Sequence, residues 1–385
     1  MSDPVARLPF RASRAEYQRQ ADDLLTHWYA GDEAATKFFW QQHPRFRNEE
    51  VKWLPKNLSE AEVRSVTMNI AAARLAIARW YDFESWDALA EYVEAVTQDG
   101  SPVHRFEAAV EAVIDGEIGS LRSLLDADPD LVRARSTRIA PFDPPRHRAM
   151  LLHYVAANGV EGYRQRSPKN AVEVARLLLE RGAEVDGLAN LYGGECTTMS
   201  LLVSSTPPAQ AGVQVPLVHT LIDFGAAVES RGAGAWTSPL LTALVFGFHD
   251  AAIALVSRGA RVETLAVAAG LGRRDEARAL LPSAPPDERH RALALAAQLG
   301  HAEVVRLLLD AGEDPNRYNP KGGHAHSTPL HQAALANHDA VVRLLVERGA
   351  RLDIPDTIYK GTPLGWAKYA GHMEIADYLR AHGAK

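Results

Sequence analysis

The sequence contains a single cysteine, Cys196, among its 385 residues. One thiol cannot form an internal disulfide, so the fold has to hold together without one, as is usual in a reducing cytosol. The first residues carry no basic patch followed by an apolar run, and no apolar stretch is long enough to span a bilayer. These absences predict a cytoplasmic protein with neither a secretory signal nor a membrane segment.

An excess of basic residues is also missing. Acidic residues number 48 against 42 basic ones, which gives a formal net charge of -6. A balance of this kind helps solubility but is not the basic footprint of a protein that binds polyanions. The composition therefore predicts no nucleic-acid partner, while an apolar content of 46% predicts a folded protein.

What the sequence does contain is an internal repeat. Thr328-Pro329-Leu330-His331 recurs 34 residues later as Thr362-Pro363-Leu364-Gly365, and each copy is followed by a segment that stops at Gly-Ala. Thr-Pro favours a helix start, because the missing N–H of proline costs nothing in the first turn, and glycine favours a helix end. A period of this length predicts stacked helix pairs, since one pair alone cannot bury its apolar side.

At these motifs the chain resembles the ankyrin repeat family. The resemblance is strongest over the last three repeats, where residues 300–309 have the sequence Gly-His-Ala-Glu-Val-Val-Arg-Leu-Leu-Leu. It weakens in the middle, where Ser238-Pro239-Leu240-Leu241 has leucine in place of the family's histidine. The resemblance implies an all-α ankyrin-repeat solenoid of paired antiparallel helices with hairpin loops, and usually protein binding on the concave face. We expect about eight repeats, some irregular, over residues 104–385.

Residues 1–100 lack the repeat and are predicted to form a small helical domain. Residues 75–89 are similar to a helical segment that precedes ankyrin repeats in many bacterial proteins. Most of the tryptophans lie in this part of the chain. We interpret them as the core of a bundle that covers the open end of the first repeat, with a separate partner-binding module as the alternative.

Helix boundaries in this segment follow from local patterns. Helices are expected over 14–30 and 32–42, where apolar and aromatic residues share one side. Ser59 with Glu62 has the pattern of a capping box. That box predicts the start of a long helix that runs through Ile77.

Several joins between predicted helices are longer than a repeat of about 33 residues allows. Other hairpins, near Ser238 and Glu263, are shorter than the norm, so we expect an uneven surface with a notch. The long loops are 132–149, 161–170, 314–327 and 353–361. Loop residues that are aromatic or basic are the predicted binding residues, because such side chains anchor interfaces. They are Arg138, Arg146, His147, Tyr163, Arg164, Tyr192, Trp236, Arg317, Tyr318, His324, His326 and Tyr359.

His324-Ala325-His326 is the best candidate for a metal site, because imidazoles at i and i+2 share one side of an extended strand. A third ligand, His331 or Asp356, would be needed. The alternative is that His331 bonds to neighbouring backbone, as the helix-start histidine of this family does, and that the other two lie in a Gly-rich loop. We follow the alternative and predict no metal.

Arginines are concentrated in residues 133–148, with Arg164 and Arg166 further along. Such a cluster could hold a small anionic ligand, because guanidinium groups match carboxylate and phosphate. The alternative is a solvated, charged loop.

Motifs of common enzymes are absent. There is no phosphate-binding P-loop, no His-Glu zinc helix and no serine-nucleophile elbow, and residues 232–234 lack the glycine spacing of a dinucleotide loop. The repeat alignment places no histidine near Cys196, and a catalytic thiol needs a base. The sequence therefore predicts no catalytic residue and no cofactor.

The leading hypothesis is an interaction protein that binds a folded protein or a peptide in a groove of hairpin loops and first helices. The alternative is an enzyme, or a protein that binds a small molecule or anion, with a pocket formed by the expanded loops. Loop geometry separates the two. Side chains that converge on one closed pocket favour the alternative, and side chains that splay along an open face favour the interaction protein.

Overall fold

The computed structural model describes residues 6–51, 54–141, 145–229 and 238–385. Packing divides the chain into two compact units. Unit 1 contains the described residues up to 226, and unit 2 contains those from 227 onward. The regular structure of the described residues is helical. The exceptions are one isolated β-bridge between Arg47 and Pro55 and one two-stranded antiparallel hairpin, β1 and β2. The hairpin strands are Ala189–Leu191 and Gly194–Cys196. The all-α prediction is confirmed.

The N-terminal helices of unit 1 follow the predicted boundaries with one exception. The helices expected over 14–30 and 32–42 are confirmed to within two residues, and the Ser59–Glu62 capping box is present. The expected long helix is wrong, because the chain breaks after Ser65 and Asn69 caps a new helix by accepting the N–H of Ala72. The helices are α1 (Arg14–Tyr29), α2 (Glu33–Gln42), α3 (Glu60–Arg64), α4 (Ile70–Trp80) and α5 (Trp86–Thr97).

Aromatic side chains form the core of these five helices. Trp28 packs edge-on against Phe39, and Phe38 does the same against Trp80. The prediction of an aromatic bundle is confirmed at these residues. This bundle also packs on the next helix of unit 1, since the Tyr92 hydroxyl bonds to Glu107. The domain boundary at residue 100 stays a prediction.

The rest of unit 1 consists of short helices joined by long loops. Ser101 caps the first of them and Gly116, with φ +73°, ends it. The helices are α6 (Pro102–Asp115), α7 (Ile118–Ala127), α8 (Leu151–Val155), α9 (Ala171–Glu180), α10 (Thr198–Leu202), α11 (Thr206–Gln210) and α12 (Gln214–Asp223).

Unit 2 is a regular series of helix pairs. Small residues on the first helices, such as Ala333, Ala334 and Ala367, are fully buried and let neighbouring pairs approach closely. The helices are α13 (Pro239–Val245), α14 (His249–Ser257), α15 (Leu265–Gly270), α16 (Arg274–Leu280), α17 (Pro286–Gln298), α18 (Ala302–Asp310), α19 (Pro329–Leu335), α20 (Asp339–Glu347), α21 (Pro363–Tyr369) and α22 (Met373–Ala381). The predicted stacking of helix pairs is confirmed within this unit.

A histidine between the two helices of a pair ties that pair to the preceding one. Nε2 of His301 lies 2.9 Å from the Gly270 carbonyl oxygen, and Nε2 of His338 lies 2.9 Å from that of Gln298. His372 repeats the contact at 3.0 Å to Leu335. Each bond satisfies a carbonyl at the end of a first helix, where no intrahelical partner exists.

Gly300 is required for this contact, and its replacement by alanine is expected to destabilise unit 2. Its φ is +81°, and a Cβ atom would lie 2.6 Å from the His338 ring. Strain and clash together should lower the free energy of unfolding by about 1–3 kcal/mol. Urea unfolding followed by circular dichroism measures the change. Gly365→Ala is the control, because this helical site has ordinary φ and its Cβ would meet only Thr362 Oγ1, at 3.8 Å. Equal effects at the two glycines would contradict the argument.

Candidate functional site

Four of the predicted loop residues come together in unit 1, but inside the protein. Arg138, His147 and Arg164 are 3%, 2% and 0% exposed, and Tyr163 lies against both arginines. The prediction that Arg138, His147 and Arg164 lie on an exposed loop surface is therefore wrong. Loops 132–149 and 161–170 fold inward against the N-terminal helices. The inward position is possible because the carboxylates of Glu107 and Glu161 neutralise the buried arginines.

Two buried glutamates hold these arginines. Arg164 Nη2 lies 2.6 Å from Glu107 Oε2, and Arg138 Nε lies 3.0 Å from Glu161 Oε1. Glu161 Oε1 also lies 3.1 Å from His147 Nε2. We call Glu107, Arg138, Glu161 and Arg164 the ion cluster. Arg138 and Arg164 are therefore not part of a solvated loop, whereas the interpretation of the arginine cluster as a site for a small anion stays a prediction.

Aromatic rings from the N-terminal bundle close the ion cluster. The Arg138 guanidinium lies 4.2 Å from the centroid of Phe83 and 4.7 Å from that of Tyr92. Arg138 also donates to the Tyr163 hydroxyl at 2.8 Å and to the Tyr81 carbonyl at 2.7 Å. Cation–π contacts of this kind stabilise a desolvated arginine.

Glu107, Glu161 and Tyr92 were missed by sequence reasoning. A signal existed for Glu107, which follows Phe106 and precedes Val110 on the buried side of α6. A carboxylate there needs a cationic partner, because an unpaired buried charge is strongly unfavourable. The position of the partner, 57 residues away at Arg164, has no signal in the local pattern.

Glu161 keeps its charge despite burial. Burial alone would raise the pKa of Glu161, but Arg138, His147 and Arg164 hold it well below its usual range. Pairing is nevertheless imperfect. Arg138 Nε is close to Glu161 yet poorly aligned for a hydrogen bond, and Arg164 Nη1 has no hydrogen-bond acceptor among the described residues. The short distance between these opposite charges still gives a strong attraction, because Coulomb attraction depends less on alignment than a hydrogen bond does.

Beside the ion cluster lies a cavity of about 310 Å³, still within unit 1. Its walls include the rings of Tyr17, Tyr81, Phe83, Tyr92 and Tyr163. We call it the aromatic cavity. It lies between the N-terminal bundle, α6 and loop 161–170, which contributes Tyr163 and Arg166 to the lining. A pocket among the expanded loops was the alternative hypothesis from the sequence.

A second group of predicted residues comes together in unit 2, on its surface. The ring centroids of His324 and His326 are 6.1 Å apart, and His326 lies 6.2 Å from the ring of Tyr359. The Tyr318 hydroxyl donates to the Pro355 carbonyl at 2.7 Å, which joins loop 314–327 to loop 353–361. We call Tyr318, His326, Tyr359 and Trp366 the loop patch.

Loop 314–327 does not project freely as a finger. His324 Nε2 lies 3.0 Å from the Val245 carbonyl at the end of α13, and Arg291 of α17 donates to the Lys321 carbonyl. The loop thus folds back over earlier first helices. The notch expected from the sequence stays a prediction.

Asp356 organises the second loop of the patch. Its carboxylate accepts hydrogen bonds from backbone N–H groups of Ile358, Tyr359 and Gly361 and from Nε1 of Trp366, at 2.5–3.0 Å. Burial raises its pKa, but these bonds outweigh that effect, so the pKa lies below its usual value. Both carboxylate oxygens are therefore engaged in holding the loop.

The histidines considered for a metal are engaged with the protein itself. His331 bonds to Thr328 through Nδ1 and lies 3.1 Å from the Gly361 carbonyl through Nε2, as the helix-start interpretation predicted. His324 contacts Val245, and His326 stacks near Trp366. The described residues contain no group of three or more histidine, cysteine, aspartate or glutamate side chains placed to bind a metal ion.

Comparison with known proteins agrees with the stacking in unit 2. Residues 293–385 match the family of ankyrin repeats, in three copies. The chain carries ankyrin repeats. It is 43% identical over 74 residues to the ankyrin repeat and SAM domain-containing protein 6 of Mus musculus. The aligned stretch covers 19% of this chain and 8% of that protein.

Two further relatives are similar to the chain over longer stretches. The chain is 28% identical over 290 residues to the ankyrin repeat and KH domain-containing protein mask-1 of Caenorhabditis elegans. It is 35% identical over 80 residues to the palmitoyltransferase Hip14 of Drosophila melanogaster. These matches cover 73% and 21% of this chain but only 10% and 12% of the relatives. The likeness therefore concerns the ankyrin repeats and not the whole relatives.

The other predicted residues lie apart from both groups. Arg146 is exposed, Tyr192 bonds to Asn158 at the β1–β2 hairpin, and Arg317 lies 3.5 Å from Asp287. Trp236 lies outside the described residues. All of the predicted binding roles stay predictions.

Two further findings concern sites that the sequence left open. Cys196 is buried in β2, and burial raises the pKa of its thiol to about 11, which keeps the thiol protonated at neutral pH. Among the described residues, no helix is both long enough and apolar enough to cross a membrane.

His153 of α8 is expected to make unit 1 sensitive to acid. Its ring is fully buried, accepts the Met150 N–H and contacts the Gly187 carbonyl, and burial lowers its pKa to about 4. The unfolded chain takes up a proton near pH 6.5, so the free energy of unfolding falls as pH drops from there to 4. The loss should be about 3 kcal/mol from this group.

Urea unfolding at a series of pH values tests this expectation. His153→Gln removes the titrating group and should give a flatter dependence between pH 6.5 and 4. His382→Gln is the control, because His382 lies in unit 2 and its loss should leave the stability of unit 1 unchanged. Parallel curves for the wild type and His153→Gln would show that His153 is not the source.

Proposed function

We propose that the protein binds a partner protein or peptide through the first-helix side of its last two ankyrin repeats. Ankyrin repeats generally mediate protein–protein interaction. The observation that carries the proposal is a row of exposed apolar side chains on this side of unit 2. Tyr318 is 40% exposed and Tyr359 61%, and at the ends of the first helices Leu335 is 37% and Tyr369 90% exposed.

The repeat period places these residues in register. Leu335 and Tyr369 are both the last residues of first helices, and they are 34 residues apart. Tyr318 and Tyr359 lie on the loops that precede those same helices. Equivalent positions on stacked repeats lie side by side, which places Leu335 next to Tyr369. Tyr318 and Tyr359 are not equivalent positions, but the bond from the Tyr318 hydroxyl to the Pro355 carbonyl joins their two loops.

The second helix α20 looks different. The exposed positions of α20 include Asp339, Arg343 and Glu347, which are charged. Arg343 and Asp339 also pair with each other at 2.7 Å. A charged face remains solvated, whereas exposed aromatic side chains lose water favourably when a partner covers them.

Loop rigidity supports the same proposal. Thr357 donates its N–H to the His326 carbonyl at 2.8 Å, which adds to the Tyr318–Pro355 bond between the two loops. Side chains that are already held in place lose less conformational freedom when a partner binds. The loop patch is therefore pre-organised for contact.

Partner capture with matched variants tests the proposal. A Tyr359→Ser/Tyr369→Ser variant of the full chain should recover about tenfold less of the proteins that bind the wild type. Arg343→Gln/Glu347→Gln on the second helix should recover the same amounts as wild type. A captured protein should then bind the purified chain saturably, with the same dependence on the two tyrosines. Undiminished capture by the tyrosine variant would refute the proposed surface.

A further inference from the structure

The aromatic cavity in unit 1 has the features of a small-molecule site, independent of the surface proposed above. Its volume of about 310 Å³ is at the lower end of the range for ligand pockets. Residues 7–10 at the N-terminal side form part of its wall, and Leu8 is fixed there by its N–H bond to the Tyr81 hydroxyl at 3.0 Å. The exposed side chain of Arg7 and the half-buried Arg166 mark its mouth.

One polar group in the cavity lacks a protein partner. Tyr17 lines the cavity and is only 3% exposed, and within the described part of the chain its hydroxyl makes no hydrogen bond. The neighbouring hydroxyls are used, since Tyr92 donates to Glu107 and Tyr163 accepts from Arg138. A buried hydroxyl without a partner is unfavourable, so it is the natural point for a ligand's polar atom.

One charge at the mouth is also unpaired. The Arg7 guanidinium lies 5.5 Å from the ring centroid of Tyr163, and no carboxylate of a described residue pairs with it. The other two charged side chains of the lining, Glu111 and Arg166, are each paired with an opposite charge. Arg166 lies 2.6 Å from Asp115, and Glu111 lies 2.9 Å from Arg164.

Electrostatics behind the walls favour an anion over a cation. Aromatic walls alone would also suit an ammonium group. Here the Arg138 guanidinium already occupies the faces of Phe83 and Tyr92, and a second cation would meet a like charge.

We propose that the aromatic cavity binds a small aromatic carboxylate of one or two rings. The ring lies among the tyrosine and phenylalanine side chains, the carboxylate faces Arg7, and a polar atom of the ligand bonds to the Tyr17 hydroxyl. Cavity size, wall chemistry, the free hydroxyl and the free cation each point to this class.

Titration with three probes of nearly equal size tests the class. Indole-3-acetate is the anion, indole-3-acetamide is neutral, and tryptamine is the cation, each measured by isothermal titration calorimetry and saturation-transfer NMR on the full chain. The acetate should bind about tenfold more tightly than the amide, since charge-assisted contacts are stronger than neutral ones. Tryptamine should bind most weakly.

Single substitutions locate the binding. Arg7→Gln should reduce the preference for the acetate over the amide to about threefold or less, and Tyr17→Phe should weaken both by about threefold to tenfold. Arg14→Gln is the matched control, because Arg14 is also exposed near the N-terminus but does not line the cavity. It should leave all three affinities unchanged.

Several results would overturn the proposal. They are failure of all three probes to saturate below about 1 mM, equal binding of acetate and amide, tighter binding of tryptamine, and a preference that survives Arg7→Gln. A loss with Arg14→Gln equal to that with Arg7→Gln would also overturn it. Arg7 is exposed, so its variant tests the proposal even where Tyr17→Phe lowers the melting temperature.

Discussion

Arg164→Met is expected to lower the free energy of unfolding of unit 1 by about 3–5 kcal/mol, because it leaves buried carboxylates without their cation. Arg164 is 0% exposed and contacts Glu107 at 2.6 Å and Glu111 at 2.9 Å. Methionine fills much of the same volume, so the loss reports charge rather than packing. Hydrogen exchange in urea, read on peptides from residues 102–226 of the full chain, measures the change for this unit.

Arg166→Gln is the matched control for this experiment. Arg166 is two residues away and also pairs with a carboxylate, Asp115, but its side chain is 40% exposed. Solvent screens such a pair, so the control should cost no more than about 1 kcal/mol. A double-mutant cycle with Glu107→Gln should show a coupling energy above about 1 kcal/mol. An Arg164→Met protein as stable as Arg166→Gln would mean that the ion cluster does not support the fold.

Asp356→Asn is expected to destabilise the last repeat of unit 2 by about 2–4 kcal/mol. One carboxylate oxygen accepts from Ile358 and Tyr359, and the other accepts from Gly361 and Trp366. An asparagine replaces one of these oxygens with an NH2 group, which would then face two other donors. Urea unfolding, with exchange read on peptides from residues 353–381, measures the effect.

The same substitution should change the response to acid. Because the pKa of Asp356 is lower in the folded protein, its stabilisation is present above the unfolded value near 3.8 and is lost as pH falls through the folded value. Asp356→Asn should therefore flatten the stability curve of this repeat below about pH 4. Asp353→Asn is the control, since Asp353 is exposed and pairs only with Arg351 among the described residues. Equal losses for the two variants would contradict the role assigned to Asp356.

Local patterns predicted individual helix caps, because a capping side chain contacts a backbone N–H only a few residues away. Ser59, Ser85 and Thr362 cap helices because each side chain reaches a backbone N–H three residues on. The long helix predicted from Ser59 failed because Asn69 offers a competing cap, and periodicity alone does not weigh one cap against another.

The candidate sites were predictable in part. Tyr318 and Tyr359 were identified as exposed loop aromatics, and both are exposed. Arg138 and Arg164 were identified as important but placed outside. An arginine in a loop is usually solvated, and only carboxylates from distant segments reverse that expectation.

The repeat period by itself determined the helix pairs and their small-residue contacts. Each of these depends on contacts between nearby or equivalent positions, which a sequence displays directly. Only the tertiary structure decided that Arg138 and Arg164 are buried, that loop 314–327 folds back to Val245, and that six aromatic rings line a cavity. Those features depend on charge pairing and packing between segments far apart in the chain, and no local pattern encodes which segments meet.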